Sequence, residues 1–167
     1  MKTRTTLRVI VTAVLVCASY GAVADTATEF NLEEYEGQVV VLDFWASWCV
    51  PCRQSFPVLE TLHKTYGSKG YVLIGVSMDD RQPDMDRFLK KNPVSFATVR
   101  DAQEKLASKV RPPGMPTSYF FGPDGRLDSV HPKYEGDATR KKYVEIIERL
   151  LKLLAVGLGN HSAGFAG

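Results

Sequence analysis

The pattern of hydrophobic and polar positions along the chain predicts alternating strands and helices. Apolar, β-branched runs over residues 39–45 and 71–76 are typical of buried strands. Apolar residues at steps of three and four predict helices over 51–66, 83–91, 101–109 and 138–154. Shorter strands are predicted over 96–99, 117–121 and 126–130, the last two joined by a Gly-Pro-Asp-Gly turn. This order favours an α/β fold, a central sheet covered by helices on both faces.

The first 24 residues have the layout of a secretory signal peptide. A short basic start is followed by an apolar stretch over residues 9–18, which ends in small residues at Ala22-Val23-Ala24. We predict cleavage after Ala24 and export to the periplasm. The alternative is an uncleaved membrane anchor over residues 7–24, although this stretch is shorter than the roughly 20 apolar residues that span a bilayer comfortably.

Composition and charge change once this segment is set aside. The full chain has 167 residues, 21 Lys+Arg and 19 Asp+Glu, a net charge of +2. Residues 1–24 hold three basic residues and no acidic one, so the remainder has 18 basic against 19 acidic residues, a net charge of −1. A near-neutral chain without a basic run gives no indication of nucleic-acid binding. Three cysteines become two, Cys49 and Cys52.

These two cysteines form a C-x-x-C motif at the predicted junction of a strand and a helix. A disulfide this short closes too small a loop to stabilise the fold much, so the pair indicates chemistry. A sulfur at a helix start faces unpaired N–H groups and the positive end of the helix dipole, which favours the thiolate. We therefore predict that Cys49 is the exposed, attacking sulfur and that Cys52, one turn further in, is more buried and resolves the mixed disulfide.

A zinc site and a merely structural disulfide are the alternatives for the pair. Zinc commonly takes four ligands, and the histidines offer no motif spacing to the cysteines. His63 is expected to be a solvated helix residue, His131 to lie at a strand end, and His161 to lie in the C-terminal tail. We predict no metal site.

The stretch Val41-Leu42-Asp43-Phe44-Trp45-Ala46-Ser47-Trp48-Cys49-Val50-Pro51-Cys52 resembles the active-site segment of thioredoxins. Pro57 matches their helix-kinking proline, and Gly114-Met115-Pro116-Thr117 resembles the loop whose proline is cis in that superfamily. With the signal peptide and the segment from Pro116 to Gly125, the chain is similar to the exported TlpA/ResA-like branch. The resemblance implies a thioredoxin fold, a mixed sheet with helices on both faces, over residues 25–156. Residues 157–167 are rich in Gly and Ala, so we expect a flexible C-terminal tail there.

The resemblance also implies roles for individual residues. Asp43 corresponds to a buried acid that relays the proton of the second cysteine, and burial should raise its pKa. The lysine that thioredoxins place nearby is missing from residues 71–77. A cis Pro116 would bring Met115 beside the sulfurs and leave its backbone free to pair with a partner chain. The predicted substrate-binding residues are Trp48, Pro51, Met115, Pro116 and Thr117.

The expected function is a periplasmic thiol-disulfide oxidoreductase whose only redox group is the Cys49–Cys52 disulfide. The resemblance implies reduction of exported proteins such as apocytochrome c, with a membrane thiol-electron donor as partner. Two alternatives are an oxidising disulfide donor and a copper-delivering chaperone on the same fold. Copper carriers resembling this fold use C-x-x-x-C with a distant histidine, and the spacing here is one residue short. Peroxidase relatives keep a lone attacking cysteine after a threonine or proline loop, which is absent here.

Overall fold

A computed structural model describes the backbone of residues 31–162 and the side chains up to residue 156. Short 3₁₀ helices lie at Leu32–Tyr35, Gly67–Lys69 and Ala102–Glu104. The remaining elements, in chain order, are β1 (Val39–Trp45), α1 (Val50–Tyr66), β2 (Tyr71–Ser77), α2 (Gln82–Lys91), β3 (Ala97–Arg100), α3 (Lys105–Val110), β4 (Thr117–Phe121), β5 (Leu127–Pro132) and α4 (Asp137–Ser162).

The five strands form one mixed sheet in the order β3-β2-β1-β4-β5. Strands β1, β2 and β3 run parallel, whereas β4 runs antiparallel to both β1 and β5. In this register Asp43 of β1 lies opposite Gly75 on β2 and Ser118 on β4. The predicted α/β class, with a central mixed sheet of the thioredoxin type, is confirmed.

Strand β1 is buried along its whole length because helices cover both faces of the sheet. Successive side chains of a strand point to opposite faces. One set packs in the same cluster as side chains of α1, α2 and α4, and consists of Val39, Val41 and Trp45. The other set packs with side chains of α3 and the first 3₁₀ helix, and consists of Val40, Leu42 and Phe44. Asp43 belongs by alternation to the face that carries α1 and α4.

An aromatic cluster fixes α1 against the sheet. The Phe56 ring lies 4.8 Å from the Trp45 ring, 5.0 Å from Phe88 and 5.7 Å from Phe96, in edge-to-face arrangements. Such pairs stabilise by more than their buried area alone. The cluster therefore holds the first half of α1 in a defined position relative to the end of β1, which is where the two cysteines lie.

The predicted helix over 101–109 is wrong in its first turn. Gln103 and Glu104 have positive φ angles of 66° and 53°, which interrupts the helix, so α3 begins only at Lys105. The Asp101 carboxylate accepts hydrogen bonds from the N–H groups of Leu106 (2.9 Å) and Ala107 (2.7 Å). Asp101 thus caps α3 across the interruption.

Other boundaries differ by a residue or two, except at the C-terminus. Strand β5 runs to Pro132 rather than to residue 130, and α4 runs to Ser162 rather than to residue 154. The α4 backbone therefore extends into the segment predicted as a tail. Within residues 31–162, no helix combines the length and apolarity needed to cross a bilayer. The predicted signal peptide and its alternative, an anchor over 7–24, lie outside the described residues.

Truncation of Phe56 should test the aromatic cluster. Phe56 is 2% exposed, so Phe56→Ala should lower the free energy of unfolding by about 3–5 kcal/mol through lost burial and a residual cavity. The measurement is urea unfolding with the disulfide intact. Leu153→Ala on α4 is the control, because Leu153 is 56% exposed and its loss should change stability by less than about 0.5 kcal/mol. Equal effects of the two substitutions would contradict this assignment of the core.

Candidate active site

Cys49 and Cys52 form a disulfide at the start of α1, with their Cα atoms 5.3 Å apart. Cys49 is the N-cap residue, and its backbone is extended while Val50 begins the helix. Its Sγ accepts a hydrogen bond from the backbone N–H of Cys52 at 3.2 Å, and Pro51 occupies the first turn. The sulfur thus takes the position of a capping oxygen, where helix N–H groups and the helix dipole stabilise negative charge.

The two sulfurs differ less in accessibility than predicted. Cys52 is fully buried, as expected, but Cys49 is only 5% exposed, so the prediction that it is an exposed sulfur is wrong. Both cysteines belong to the apolar cluster against which Met115 packs. Cys49 is part of the main core cluster, and its position at a helix end does not specify this burial.

The loop over residues 114–117 leads into β4 and contributes to the core cluster that contains the disulfide. The Met115–Pro116 peptide bond is cis. Pro116 is buried, and the half-buried Met115 packs against the cluster that contains both cysteines. Thr117 is fully buried and donates its hydroxyl to the Gly114 carbonyl at 2.7 Å. The Thr117 side chain therefore braces the loop, and its predicted contact with substrate is wrong because no surface of it is accessible.

An exposed apolar surface surrounds the disulfide. Trp48 is 66% exposed and Val50 is 61% exposed, on either side of Cys49 in sequence, and Pro51 is half-buried. Large exposed apolar side chains that are adjacent to one another indicate a contact surface for a partner. Of the predicted substrate-binding residues, Trp48 is thus exposed and Pro51 partly accessible, and the structure adds Val50, which the sequence did not single out.

A buried carboxylate holds the loop that precedes Cys49. Asp79 is 4% exposed and accepts hydrogen bonds from the Ser47 backbone N–H (3.1 Å), the Ser47 hydroxyl (2.7 Å) and the Ser77 hydroxyl (2.9 Å). The sequence pattern does not single out Asp79. The signal lies in the strand register, since β1 and β2 are parallel and Trp45 pairs with Ser77, so residues just beyond both strands meet at one edge.

Asp43 is buried in the middle of the sheet, 1% exposed. Burial raises the pKa of its carboxyl to about 7, although a hydrogen bond from Ser118 opposes this shift. The predicted burial and raised pKa are confirmed. Within the described chain Asp43 has no salt bridge, and its Oδ2 atom has no hydrogen-bond partner. Since Asp43 shares its face of the sheet with α1, this free oxygen is available to a proton donor from that layer.

Two further residues, which the sequence pattern does not single out, are linked to Asp43 by hydrogen bonds. Ser118 bonds to Asp43 directly, and Tyr143 bonds to Ser118. The Ser118 hydroxyl donates to Asp43 Oδ1 at 2.5 Å, and the Tyr143 hydroxyl donates to Ser118 Oγ at 2.8 Å. Both residues are buried. Tyr143 follows the helical spacing of an ordinary core residue, so only the three-dimensional packing of α4 over β1 and β4 identifies its role.

The histidines lie apart from this site. His63 is half-buried with its ring 6.2 Å from Phe96, so the prediction of a solvated helix residue is wrong. His131 lies near the end of β5, against Phe120 and Tyr143, and burial lowers its pKa. His161 lies outside the described side chains. Among the side chains that the structure describes, no group of three or more His, Cys, Asp or Glu is placed to hold a metal ion.

A mixed sheet in this strand order, with a disulfide at the first turn of α1 and a cis proline immediately before β4, defines a thioredoxin-fold protein with a dithiol–disulfide site. The AhpC/TSA family model matches residues 17–130, more than half of the chain. The chain belongs to this family, and the predicted resemblance to thioredoxin-like thiol-disulfide proteins is confirmed.

Relatives and solved structures agree with this membership. Thiol-disulfide oxidoreductase ResA of Oceanobacillus iheyensis is 31% identical over 100 residues, which is 60% of this chain and 52% of ResA. The chain thus spans about half the length of this relative. A crystal structure from Chlorobium tepidum, provisionally named thiol:disulfide interchange protein DsbE, is 33% identical with a TM-score of 0.69, covering 72% of this chain and 84% of that one. MTB dsbF, in mixed oxidized and reduced forms, is 26% identical with a TM-score of 0.60, covering 73% and 84%.

The raised pKa of Asp43 predicts a particular dependence of stability on pH. The folded protein retains this proton up to about pH 7, whereas the unfolded chain loses it near the ordinary value of 3.8. The folded state therefore binds more protons between these values, and its stability from this group falls as pH rises, by on the order of 4 kcal/mol in total. Asp43→Asn should remove this fall and be more stable than the wild type at pH 8.

The measurement is denaturant unfolding of the oxidised protein from pH 4 to 8, compared as the difference between wild type and variant. Asp84→Asn is the control, because a hydrogen bond from Arg81 lowers the pKa of that exposed carboxyl. Asp84→Asn should therefore retain the decrease in the free energy of unfolding between pH 4 and 7. A constant difference between wild type and Asp43→Asn over this range would show that Asp43 titrates normally.

Proposed function

We propose that this protein is an exported thiol-disulfide oxidoreductase that reduces disulfides of exported proteins in the periplasm, through a cycle of Cys49 and Cys52 between dithiol and disulfide. The observation that carries the proposal is the disulfide at the first turn of α1, with Cys49 as the N-cap. The name of the relative ResA, thiol-disulfide oxidoreductase, supports the same chemistry.

In the first step the Cys49 thiolate attacks one sulfur of a substrate disulfide. A bond forms between Cys49 Sγ and that sulfur, and the substrate S–S bond breaks, so that the second substrate sulfur leaves as a thiolate. The Cys52 N–H that bonds to Cys49 Sγ, together with the dipole of α1, stabilises the attacking anion.

In the second step Cys52 resolves the mixed disulfide. Its thiol loses a proton, its sulfur attacks Cys49 Sγ, and the bond between Cys49 and the substrate breaks to release the second substrate thiolate. Two electrons pass from the dithiol to the substrate, and the protein ends as the disulfide found here. Asp43, with an unpaired oxygen and a pKa near neutrality, is suited to accept the Cys52 proton.

The surface around the disulfide suits an extended, apolar segment of a substrate protein. Trp48 and Val50 are exposed next to Cys49 in sequence, and the half-buried Met115 packs against the core cluster that contains both cysteines. A chain that pairs with the backbone near Met115 would place its own cysteine against Cys49. An unfolded protein with a nearby pair of cysteines fits this description, and apocytochrome c is the candidate substrate of this kind.

The cycle uses no redox group other than the disulfide, and it needs a source of electrons to restore the dithiol. In an oxidising compartment this source is a membrane thiol donor, which is the partner that we propose. The same steps in reverse would oxidise a substrate dithiol. The direction of the reaction therefore depends on the reduction potential of the Cys49–Cys52 pair.

Substitution of each cysteine tests the cycle. Cys49→Ser should abolish reduction of a disulfide-bonded peptide, because no sulfur attacks. Cys52→Ser should accumulate a covalent complex with the peptide, since the mixed disulfide is not resolved. Turnover is measured by the fluorescence of the peptide after reduction of its disulfide. The covalent complex is detected by mass spectrometry. Cys17→Ser in the full chain is the matched control and should turn over as the wild type. Wild-type turnover by Cys49→Ser would overturn the proposed function.

A redox titration against glutathione tests the direction. For a reductant we expect a potential of the Cys49–Cys52 pair well below that of the oxidant DsbA, about −120 mV, and close to or below that of thioredoxin, about −270 mV. The fraction oxidised is read by thiol alkylation at equilibrium. A potential near −120 mV would instead assign the protein to the oxidising direction.

A further inference from the structure

Three buried groups from three elements form a continuous chain of hydrogen bonds. Tyr143 of α4 donates to Ser118 Oγ at 2.8 Å, and Ser118 of β4 donates to Asp43 Oδ1 of β1 at 2.5 Å. Their exposed fractions are 4%, 0% and 1%. Each donor points toward the carboxyl, so the two hydroxyls act on Asp43 in the same direction.

The strand register makes this contact obligatory. Ser118 lies directly opposite Asp43 in the antiparallel pair of β1 and β4, so both side chains point to the same face of the sheet. Tyr143 packs on that face from α4, in the cluster that also holds Cys49 and Cys52. A hydroxyl that accepts one hydrogen bond while donating another is a stronger donor, because the bonds polarise one another.

The other groups that face this carboxyl are few. On β2, Tyr71 is buried, and its charge interaction with Asp43 raises the Tyr71 pKa, after burial as the main cause. On α1 the same layer contains the two cysteines. Next to Tyr143 lie His131 of β5 and the phenol of Tyr134. Within the described chain no cation pairs with Asp43, so the hydroxyls supply its stabilisation as an anion.

We propose that Ser118 and Tyr143 are positioning residues for the resolving step: they hold Asp43 through Oδ1, stabilise its carboxylate, and leave Oδ2 free to take the proton from Cys52. The inference rests on the proposed function and deepens it. In the step, the S–H bond of Cys52 breaks and an O–H bond forms on Asp43. The electron pair left on sulfur attacks Cys49 Sγ, the Cys49–Cys52 bond forms, and the bond between Cys49 and the substrate breaks to release the substrate sulfur as a thiolate. The raised pKa of Asp43 is consistent with this geometry, since burial raises it and the Ser118 hydrogen bond lowers it.

The test isolates the resolving step. A mixed disulfide is prepared between Cys49 and a fluorescent peptide thiol, and the rate of peptide release by Cys52 is measured from pH 5 to 9. The variants are Ser118→Ala, Tyr143→Phe and the control Tyr66→Phe. Tyr66 is also a buried tyrosine, but its hydroxyl donates to Glu148 rather than to the Asp43 chain.

Loss of a donor to the carboxylate raises the pKa of Asp43, so the release profile should move to higher pH. For Ser118→Ala we expect a midpoint higher by at least about 0.5 pH unit, or release about threefold slower at pH 6, with rates that converge toward pH 9. Tyr143→Phe should shift the midpoint in the same direction by less. Tyr66→Phe should superimpose on the wild type. Ser118→Thr, which keeps the hydroxyl, should restore the wild-type midpoint.

Titration of the Asp43 carboxyl by ¹³C NMR in the oxidised protein provides a readout that needs no turnover. If Ser118→Ala does not fold, Tyr143→Phe carries the same comparison, because it deletes one oxygen only. Unshifted profiles and an unshifted Asp43 titration in both variants would overturn the inference while the exchange activity stands. Absence of peptide release by the wild-type protein at every pH would overturn the proposed function, and the positioning role with it.

Discussion

The position of one sulfur atom at the first turn of α1 connects most features of this structure. A helix must satisfy its first N–H groups, and here Cys49 Sγ accepts the one from Cys52. The start of the helix and the reactive pair are therefore the same structural feature. Two anchors fix that point: the Asp79 carboxylate holds Ser47 on the loop, and the Phe56 cluster holds α1 on the sheet. Displacement of either anchor would move the sulfur and the cap together.

The burial of Asp43 sets the second constraint. Strand β1 is covered on both faces, and all of its residues except Asp43 are apolar. The carboxyl therefore loses its hydration without gaining a counter-ion among the described residues. The structure tolerates it as a group whose pKa is near neutrality and whose Oδ1 accepts from Ser118. Local rules of folding are broken at functional sites more often than elsewhere, and Asp43 breaks them in the centre of the sheet.

Sequence patterns predict the helices and strands well where the burial of a residue follows from its immediate neighbours in the chain. Strand β1 and helix α1 follow from an apolar run and from helical spacing, and the burial of Asp43 follows from its place in that run. The patterns fail where the outcome depends on distant packing. The covering of Cys49, the hydrogen bond from Tyr143 to Ser118, and the positive φ angles that interrupt the start of α3 all arise from contacts or backbone conformations that spacing does not encode.

The near-equal burial of the two sulfurs changes how their division of labour is explained. Exposed fractions of 5% and 0% leave little room for accessibility to distinguish Cys49 from Cys52. What differs is their electrostatic setting. Cys49 Sγ lies at the positive end of a helix and accepts an N–H, whereas Cys52 lies inside the turn, on the face of the sheet that carries a carboxyl able to hold a proton. In the proposed cycle, one sulfur is thus favoured as an anion before substrate arrives, and the other is suited to lose its proton only when the mixed disulfide has formed.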